Sequence, residues 1–97
     1  MSFQTTSRTT REDAGMAWYE PTDEFKSYRQ TNYIDNGKME SVSRTNVSDT
    51  VRQVVVTWKD EASAQEWWDD STCSAMRTAR NTYETNNGIS RVKPGTQ

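Results

Sequence analysis

The chain has 97 residues, a formal net charge of −2 at pH 7 and a hydrophobic fraction of 31%, with a mean hydropathy of −1.09. This length predicts one domain over residues 1–97. Low hydropathy can indicate disorder, but four Trp, four Tyr and two Phe oppose that interpretation, because disordered chains are poor in aromatic residues. We predict a folded domain with an aromatic core and a thin stability margin, which favours a homodimer.

Composition also narrows the class of protein. A lone cysteine, Cys73, permits no disulfide within the chain. The chain has no histidine, the commonest general base and metal ligand, so we expect neither a metal nor a cofactor. A pI near 5.1 opposes a nucleic-acid partner. No signal peptide or membrane span is predicted, so we expect a cytoplasmic protein that binds no membrane.

The first half of the chain predicts a strand, a helix and a second strand. The threonine-rich residues 3–11 have no helical period and predict a strand. Thr22 is a typical N-cap, acidic residues follow it, and a later Asn-Gly pair predicts a left-handed stop for the helix. Residues 38–46 predict a weaker strand, in which alternation places Met39 and Val42 on opposite faces.

The second half predicts a strand, two helical segments and a last strand. Residues 51–58 are the strongest strand candidate, and both of their faces are apolar enough for a central position. Asp60 predicts the start of a helix, and Ser71 or Thr72 predicts the start of another. The stripe expected to face the core in that last helix is Met76, Ala79 and Tyr83. Residues 89–93 predict a short strand, and a Pro-Gly pair follows.

The order strand, helix, strand, strand, helix, strand predicts an α+β fold. With right-handed crossovers it is the ferredoxin-like βαββαβ arrangement, a four-stranded antiparallel sheet with helices on one face. The other sheet face is bare in a monomer, and we expect Val55 and Thr57 to make it too apolar to remain wet. This predicts a homodimer that forms through the open sheet face.

Residues 54–67, with the sequence VVVTWKDEASAQEW, resemble the strand-to-helix passage of the dimeric α+β barrel superfamily, which includes antibiotic-biosynthesis-monooxygenase-like proteins. Residues 77–89, with RTARNTY and NNGI, resemble small uncharacterised proteins of marine bacteria and their phages. The resemblance implies a dimer whose two bare sheet faces form a barrel. Oxygenases of this group commonly use Asn, Trp and His near the pocket, and haem-degrading members use a His ligand, which this chain lacks.

The aromatic residues could line a pocket for a small apolar or aromatic ligand between the helices and the sheet. Filling the core is the more frequent role of large rings in a small domain. An enzyme would need converging polar groups in the same pocket. The residues that we predict to bind a ligand are Arg8, Tyr28, Tyr33 and Trp58. No residue is predicted to be catalytic or to bind a metal.

Several arginines fall on predicted strands. These are Arg8, Arg44, Arg52 and Arg91. An arginine on the bare sheet face could bind a carboxylate or phosphate through two N–H groups, although pairing with acids across strands or across a dimer interface is more common. On the last helix Glu84 follows Arg80 at i+4, which predicts a solvent-exposed ion pair. Cys73 is expected to be a small buried residue.

Two functional hypotheses from different classes follow. The favoured one is a homodimeric module, without an evident catalytic apparatus, that binds a small ligand or a partner. The alternative is a cofactor-independent, monooxygenase-like enzyme that acts on an aromatic or quinone-type small molecule. They differ in the pocket, since an enzyme needs a closed cavity in which a few polar groups converge.

Overall fold

The structure, a computed structural model, describes residues 2–92 of the chain. The strands are β1 (Phe3–Thr10), β2 (Met39–Asn46), β3 (Val51–Trp58) and β4 (Ser90–Val92), and the helices are α1 (Asp23–Arg29), which continues as a π-helical turn (Gln30–Ile34), α2 (Glu61–Asp69) and α3 (Ser71–Asn86). The predicted α+β class and the four-stranded antiparallel sheet are confirmed. Lys93 of the predicted last strand, and the Pro-Gly pair after it, lie outside the described residues.

Side-chain caps determine where the first two helices begin. The Thr22 hydroxyl accepts a hydrogen bond from Phe25 N at 3.1 Å, and the Asp60 carboxylate accepts one from Ser63 N at 2.8 Å. Both caps satisfy amides that have no partner within the helix, and both were predicted from the sequence. Three residues after the π-helical turn, the amide of Gly37 donates a hydrogen bond to Ile34 O at 3.1 Å. The φ of Gly37 is 80°, the left-handed conformation that favours glycine.

The start of α3 differs from the prediction. Neither Ser71 nor Thr72 caps this helix, because the carboxylate of Asp70 accepts hydrogen bonds from Thr72 N at 2.8 Å and from Cys73 N at 3.4 Å. Asp70 is therefore the last residue before α3, and both residues predicted as caps lie inside the helix. Aspartate competes well with hydroxyl side chains at this position, so the neighbouring acid provides the cap.

The sheet has the strand order β2-β3-β1-β4, so β3 is internal, as its two apolar faces predicted. One irregularity corrects the prediction for β2. Between Met39 and Ser41 the register against β3 shifts by a β-bulge, which inserts one extra residue. Because of this extra residue, Met39 and Val42 both contact the core, and the prediction that they lie on opposite faces is wrong.

The core is aromatic, as the composition predicted. Its buried members are Phe25, Tyr33, Met39, Trp58 and Cys73. The rings of Tyr33 and Trp67 meet edge to face with centroids 5.1 Å apart, and those of Trp58 and Trp67 are 5.6 Å apart. Each such pair contributes about 0.5–1.5 kcal/mol beyond the burial of its area. The cluster therefore joins the helices to one face of the sheet, which we call the covered face.

The inward face of α3 corrects a further prediction. Met76 packs against the core, but Ala79 is exposed and Tyr83 is only half-buried. The two buried residues of α3 are Cys73 and Glu84. Near the C-terminal end of this helix the buried side chain is therefore Glu84 instead of the predicted Tyr83, and it brings charge to the boundary between the helix and the sheet.

The opposite, open face of the sheet is largely polar. Strand alternation places on it the side chains of Gln4, Thr6, Arg8, Thr10, Ser41, Ser43, Thr45, Gln53 and Thr57, together with Val51, Val55 and Val92. Hydroxyl and amide groups thus outnumber the three valines, one of which, Val92, is 62% exposed. Dimerisation through this face stays a prediction, and the apolar character expected of the face is confined to the valines.

A candidate ligand cleft

A cleft of about 840 Å³ lies between the helices and the covered face. This volume falls within the roughly 300–1,000 Å³ of typical small-molecule sites. One part of its wall, the apolar end, consists of Phe3, Val42, Val56, Trp58, Ala64, Trp67 and Met76. Another part, the charged end, consists of Arg29, Arg44, Arg52, Arg80 and Arg91. The cleft is therefore amphipathic in its lining.

The change from apolar to charged follows the elements that form the cleft. Along β3 the inward side chains are Trp58, Val56, Val54 and Arg52 in turn, because alternate residues share a face. Along α3 Met76 is followed one turn later by Arg80, which lies on the same side of the helix. Both walls thus become cationic toward the same end of the sheet, where β4 adds Arg91 opposite Thr9 of β1.

The apolar end is formed by residues that the core already positions. Trp58 is 3% exposed, and its indole Nε1 donates a hydrogen bond to the Thr5 hydroxyl at 3.1 Å. This bond satisfies the one polar atom of the ring. Trp67 packs on Trp58 from α2, and Met76 contacts the same cluster from α3. The wall that meets the cleft is therefore apolar and packed against the core.

At the charged end, arginines exceed the acids that could neutralise them. Arg91 forms two hydrogen bonds with the buried Glu84, Nε to Oε1 at 3.0 Å and Nη2 to Oε2 at 2.6 Å. Glu20, which also lines the cleft, is paired with Lys26. The guanidinium of Arg52 stacks over the Trp18 ring at 4.8 Å, which supplies a weak cation–π attraction but no hydrogen-bond acceptor.

Three of these arginines have a buried Nε atom that finds no acceptor within residues 2–92. They are Arg29, Arg52 and Arg80. The hydroxyl of Thr9, between Arg52 and Arg91 in the sheet, is also buried without a hydrogen-bond partner in that part of the chain. Buried polar atoms are nearly always hydrogen-bonded in folded proteins, so four such atoms around one end of a cleft are unusual.

The electrostatics of the charged end are repulsive. Burial lowers the pKa of Arg52, and the neighbouring guanidiniums of Arg44 and Arg91 lower it further. Burial and then Arg44 lower the pKa of Arg29 in the same way. For Arg80 burial lowers the pKa to about 10, with Arg91 contributing. All remain protonated at neutral pH, so the chain holds several like charges together, in part out of water.

A separate polar cluster centres on Asp70. The hydroxyls of Tyr28 and Tyr33 donate to its Oδ2 at 2.6 Å and 2.7 Å, while its Oδ1 accepts the two α3 amides. Burial raises the pKa of Asp70, but the hydrogen bonds from the two tyrosines and the amides outweigh burial and hold it below its usual value. Burial, followed by the bond to Asp70, raises the pKa of Tyr33.

The buried thiol of Cys73 borders the same cluster. Burial, with the charge of Asp70 second, raises its pKa to about 11, so the thiol is protonated at neutral pH. Its expected role as a small buried residue is confirmed, since it is 0% exposed. The shifted pKa values disfavour the thiolate of Cys73, the phenolates of the two tyrosines and the protonated form of Asp70. The hydrogen bonds of this cluster therefore connect α1, the π-helical turn and the start of α3.

The structure brings together three of the four residues predicted to bind a ligand. The ring centroid of Tyr33 lies 6.5 Å from that of Trp58 and 6.5 Å from that of Tyr28. Of these three, Trp58 lines the cleft, whereas the hydroxyls of Tyr28 and Tyr33 bind Asp70. Arg8 lies apart on the open face, where its guanidinium donates to the Gln53 side chain at 2.7 Å. Ligand binding by these four residues stays a prediction.

The sequence pattern placed possible oxyanion-binding arginines on the bare sheet face, whereas Arg44, Arg52 and Arg91 lie on the covered face and line the cleft. One signal in the sequence indicates this position. Arg52 lies two residues before Val54 on β3, so the alternation that places Val54, Val56 and Trp58 on the covered face also places this arginine there. For Arg80, spacing alone suggested a pair with Glu84. That carboxylate lies beneath β4 and bonds Arg91 instead, a partner that becomes visible only once the sheet is assembled.

Comparison with known proteins finds no matching family model, and neither curated proteins nor solved structures give a significant match. The resemblance to the dimeric α+β barrel superfamily and to marine proteins therefore stays a prediction. Over residues 2–92, no group of three or more Cys, Asp or Glu side chains could hold a metal ion. No described helix has both the length and the apolar character required to span a membrane.

Proposed function

We propose that the chain is a binding module that holds a small organic molecule in the cleft between its helices and its sheet. The observation that carries this proposal is the cleft itself. It has about 840 Å³ of space against the covered face and a wall of apolar side chains packed against the core, which include Trp58, Trp67 and Met76. Small-molecule sites are typically concave, largely apolar and already formed before the ligand binds.

The binding module is preferred to the monooxygenase-like enzyme for a chemical reason. A cofactor-independent oxygenase needs a group that removes a proton from its substrate, with a pKa near the working pH. Tyr28 and Tyr33 have raised pKa values and donate to Asp70, which keeps their protons in place. Neither tyrosine lines the cleft, so no observation favours the enzyme hypothesis over binding.

The fold and assembly of this module are part of the proposal. The strand order β2-β3-β1-β4 with antiparallel neighbours supports a ferredoxin-like arrangement. We propose that two copies pair through the open face around Val51 and Val55, as in a dimeric α+β barrel, and that the protein works in the cytoplasm.

Binding of an uncharged fluorescent probe tests the proposed site. N-phenyl-1-naphthylamine is apolar, and its emission rises when it leaves water. Val54→Phe would add a ring within the cleft, whereas Val47→Phe makes the same change at a residue that is 50% exposed and does not line the cleft. We expect saturable binding to the wild-type protein, a loss of at least about tenfold in affinity for Val54→Phe and little change for Val47→Phe.

Two results would contradict the proposed site. The first is the absence of saturable probe binding by the folded wild-type protein, judged by its circular dichroism. The second is an equal loss in both variants, which would place the probe elsewhere or indicate a general effect on folding. A native mass spectrum of the freshly purified protein adds an independent readout, because a retained small molecule appears there as additional mass.

A further inference from the structure

The charged end of the cleft gives the bound molecule a chemical identity. We propose that the ligand is an amphipathic organic anion, whose carboxylate, phosphate or sulfonate group binds among Arg29, Arg44, Arg52, Arg80 and Arg91 while its apolar body lies against Trp58, Trp67 and Met76. This inference rests on the proposed function and deepens it, since it assigns the charge and the orientation of the ligand.

The first argument is the distribution of charge. The whole chain is acidic, with 14 Asp and Glu against 12 Lys and Arg. The lining of the cleft has the opposite balance. Its cations are Lys26, Arg29, Arg44, Arg52, Arg77, Arg80 and Arg91, and its acids are Glu20 and Glu61. More than half of the cationic side chains thus line one cleft, and lowering their mutual repulsion requires a negative charge.

The second argument is the state of the guanidiniums themselves. Burying a charged group is unfavourable unless it is paired and hydrogen-bonded. Arg91 meets this condition through Glu84, but the buried Nε atoms of Arg29, Arg52 and Arg80 have no acceptor in the described part of the chain. An oxyanion beside the remaining N–H groups would supply the missing charge, because planar guanidiniums bind carboxylate and phosphate oxygens in pairs.

The third argument is the distribution of the arginines over different elements. Arg29 comes from α1, Arg44 from β2, Arg52 from β3, Arg80 from α3 and Arg91 from β4. All five line the same cleft. The charge of Arg44 helps to lower the pKa of Arg29 and Arg52, and the charge of Arg91 helps to lower the pKa of Arg52 and Arg80. Cationic groups from five different elements thus meet at one cavity, which differs from a charged face on one helix.

The test compares two probes that differ in one group. The anion 1-anilinonaphthalene-8-sulfonate has the ring system of N-phenyl-1-naphthylamine with an added sulfonate. The net charge of −2 gives no general attraction for the anion, so a preference for it must be local. We expect the wild-type protein to bind the sulfonate at least about tenfold more tightly than the uncharged probe, as charge-assisted hydrogen bonds imply.

Three variants locate this preference. Arg44→Gln changes an exposed residue that lines the cleft, and Arg52→Gln changes one with a buried Nε. Lys59→Gln removes the same charge from an exposed residue that does not line the cleft. We expect both arginine variants to lose most of the preference for the sulfonate and to keep their affinity for the uncharged probe, whereas Lys59→Gln behaves as the wild type.

The outcomes separate this inference from the proposed function. Equal affinity for both probes would overturn the anion site and leave the cleft as a binding site, whereas no binding of either probe would overturn both. If all three variants kept the preference for the sulfonate, or all three lost it, the anion site would not lie among these arginines. Competition with decanoate and with inorganic phosphate distinguishes the source of the anion. Displacement of the sulfonate probe by decanoate supports an amphipathic ligand. Displacement by inorganic phosphate alone would overturn the proposal of an amphipathic ligand.

Melting curves show whether a loss of probe binding in a variant reflects a loss of folded structure. Because the arginines repel one another in the free protein, Arg44→Gln is expected to melt at the same or a higher temperature than the wild type. Decanoate is expected to raise the melting temperature of the wild type more than that of Arg44→Gln. A lower melting temperature for Arg44→Gln without ligand would contradict the repulsion on which the inference depends.

Discussion

Replacing Glu84 by glutamine should destabilise the protein strongly, because this carboxylate neutralises part of the charged end. Its side chain is 7% exposed and that of its partner Arg91 is 17% exposed. Glutamine has nearly the same shape, so packing is preserved while the charge is removed. The change leaves Arg91 uncompensated next to Arg52 and Arg80, whose repulsion toward it already lowers their pKa values.

The size of the effect follows from the two hydrogen bonds that join the pair. Removing one partner of a buried ion pair costs about 3–5 kcal/mol, and two charge-assisted bonds give a similar figure at about 1.5–3 kcal/mol each. Residual exposure of Arg91 reduces the cost, so we expect about 3 kcal/mol. Since domains of this kind are stable by roughly 5–15 kcal/mol, the loss is a large fraction of the total.

Urea denaturation followed by tryptophan fluorescence measures this loss directly. Glu40→Gln is the matched control, because Glu40 is exposed and accepts one hydrogen bond from Ser2 at 3.1 Å. Surface substitutions of this kind change stability by about 0.5 kcal/mol or less. Higher ionic strength should reduce the loss in Glu84→Gln by screening the arginines. Equal stability of the two variants would refute the idea that Glu84 compensates the charged end.

Three further predictions concern other parts of the molecule. Because the pKa of Asp70 is lowered on folding, its ionised carboxylate should stabilise the folded protein above the unfolded pKa of about 3.9, and this stabilisation should be lost as the pH falls through the lower folded pKa. The difference in unfolding free energy between the wild type and Asp70→Asn should therefore become smaller in acid. A difference that does not change with pH would contradict this. The Cys73 thiol, with a pKa of about 11, should react with a disulfide reagent at pH 8 only after unfolding in urea, and rapid labelling of the native protein would contradict its burial. If the open face forms a dimer, Val55→Lys should give a folded monomer in native mass spectrometry, whereas an unchanged dimer would place the interface elsewhere.

Local signals in the sequence were sufficient for much of the fold. The helix starts at Thr22 and Asp60 follow from single side chains that satisfy nearby amides, so three or four residues determine them. The bounds of β3 follow from a run of β-branched residues that ends in Trp58. The aromatic core follows from composition, since the chain offers few other large apolar side chains.

Features that depend on pairing between distant segments were not predictable in this way. The bulge in β2 arises from its register against β3, and it moves Met39 and Val42 to the same side. The partner of Glu84 is Arg91 on β4, which no helical spacing reveals. The cleft likewise requires α1, α3 and four strands to meet before its arginines become neighbours, so its position follows from the assembled fold.

The most direct test of the cleft as the binding site is a nuclear magnetic resonance titration of the ¹⁵N-labelled protein with decanoate. We expect amide shifts to concentrate along the cleft, at Val54 and Arg52 on β3 and at Met76 and Arg80 on α3, and to saturate at one ligand per chain. The amides of residues 35–38, which follow the π-helical turn and do not line the cleft, should change less. Shifts confined to the ends of the chain, or no saturable shift at all, would contradict the account.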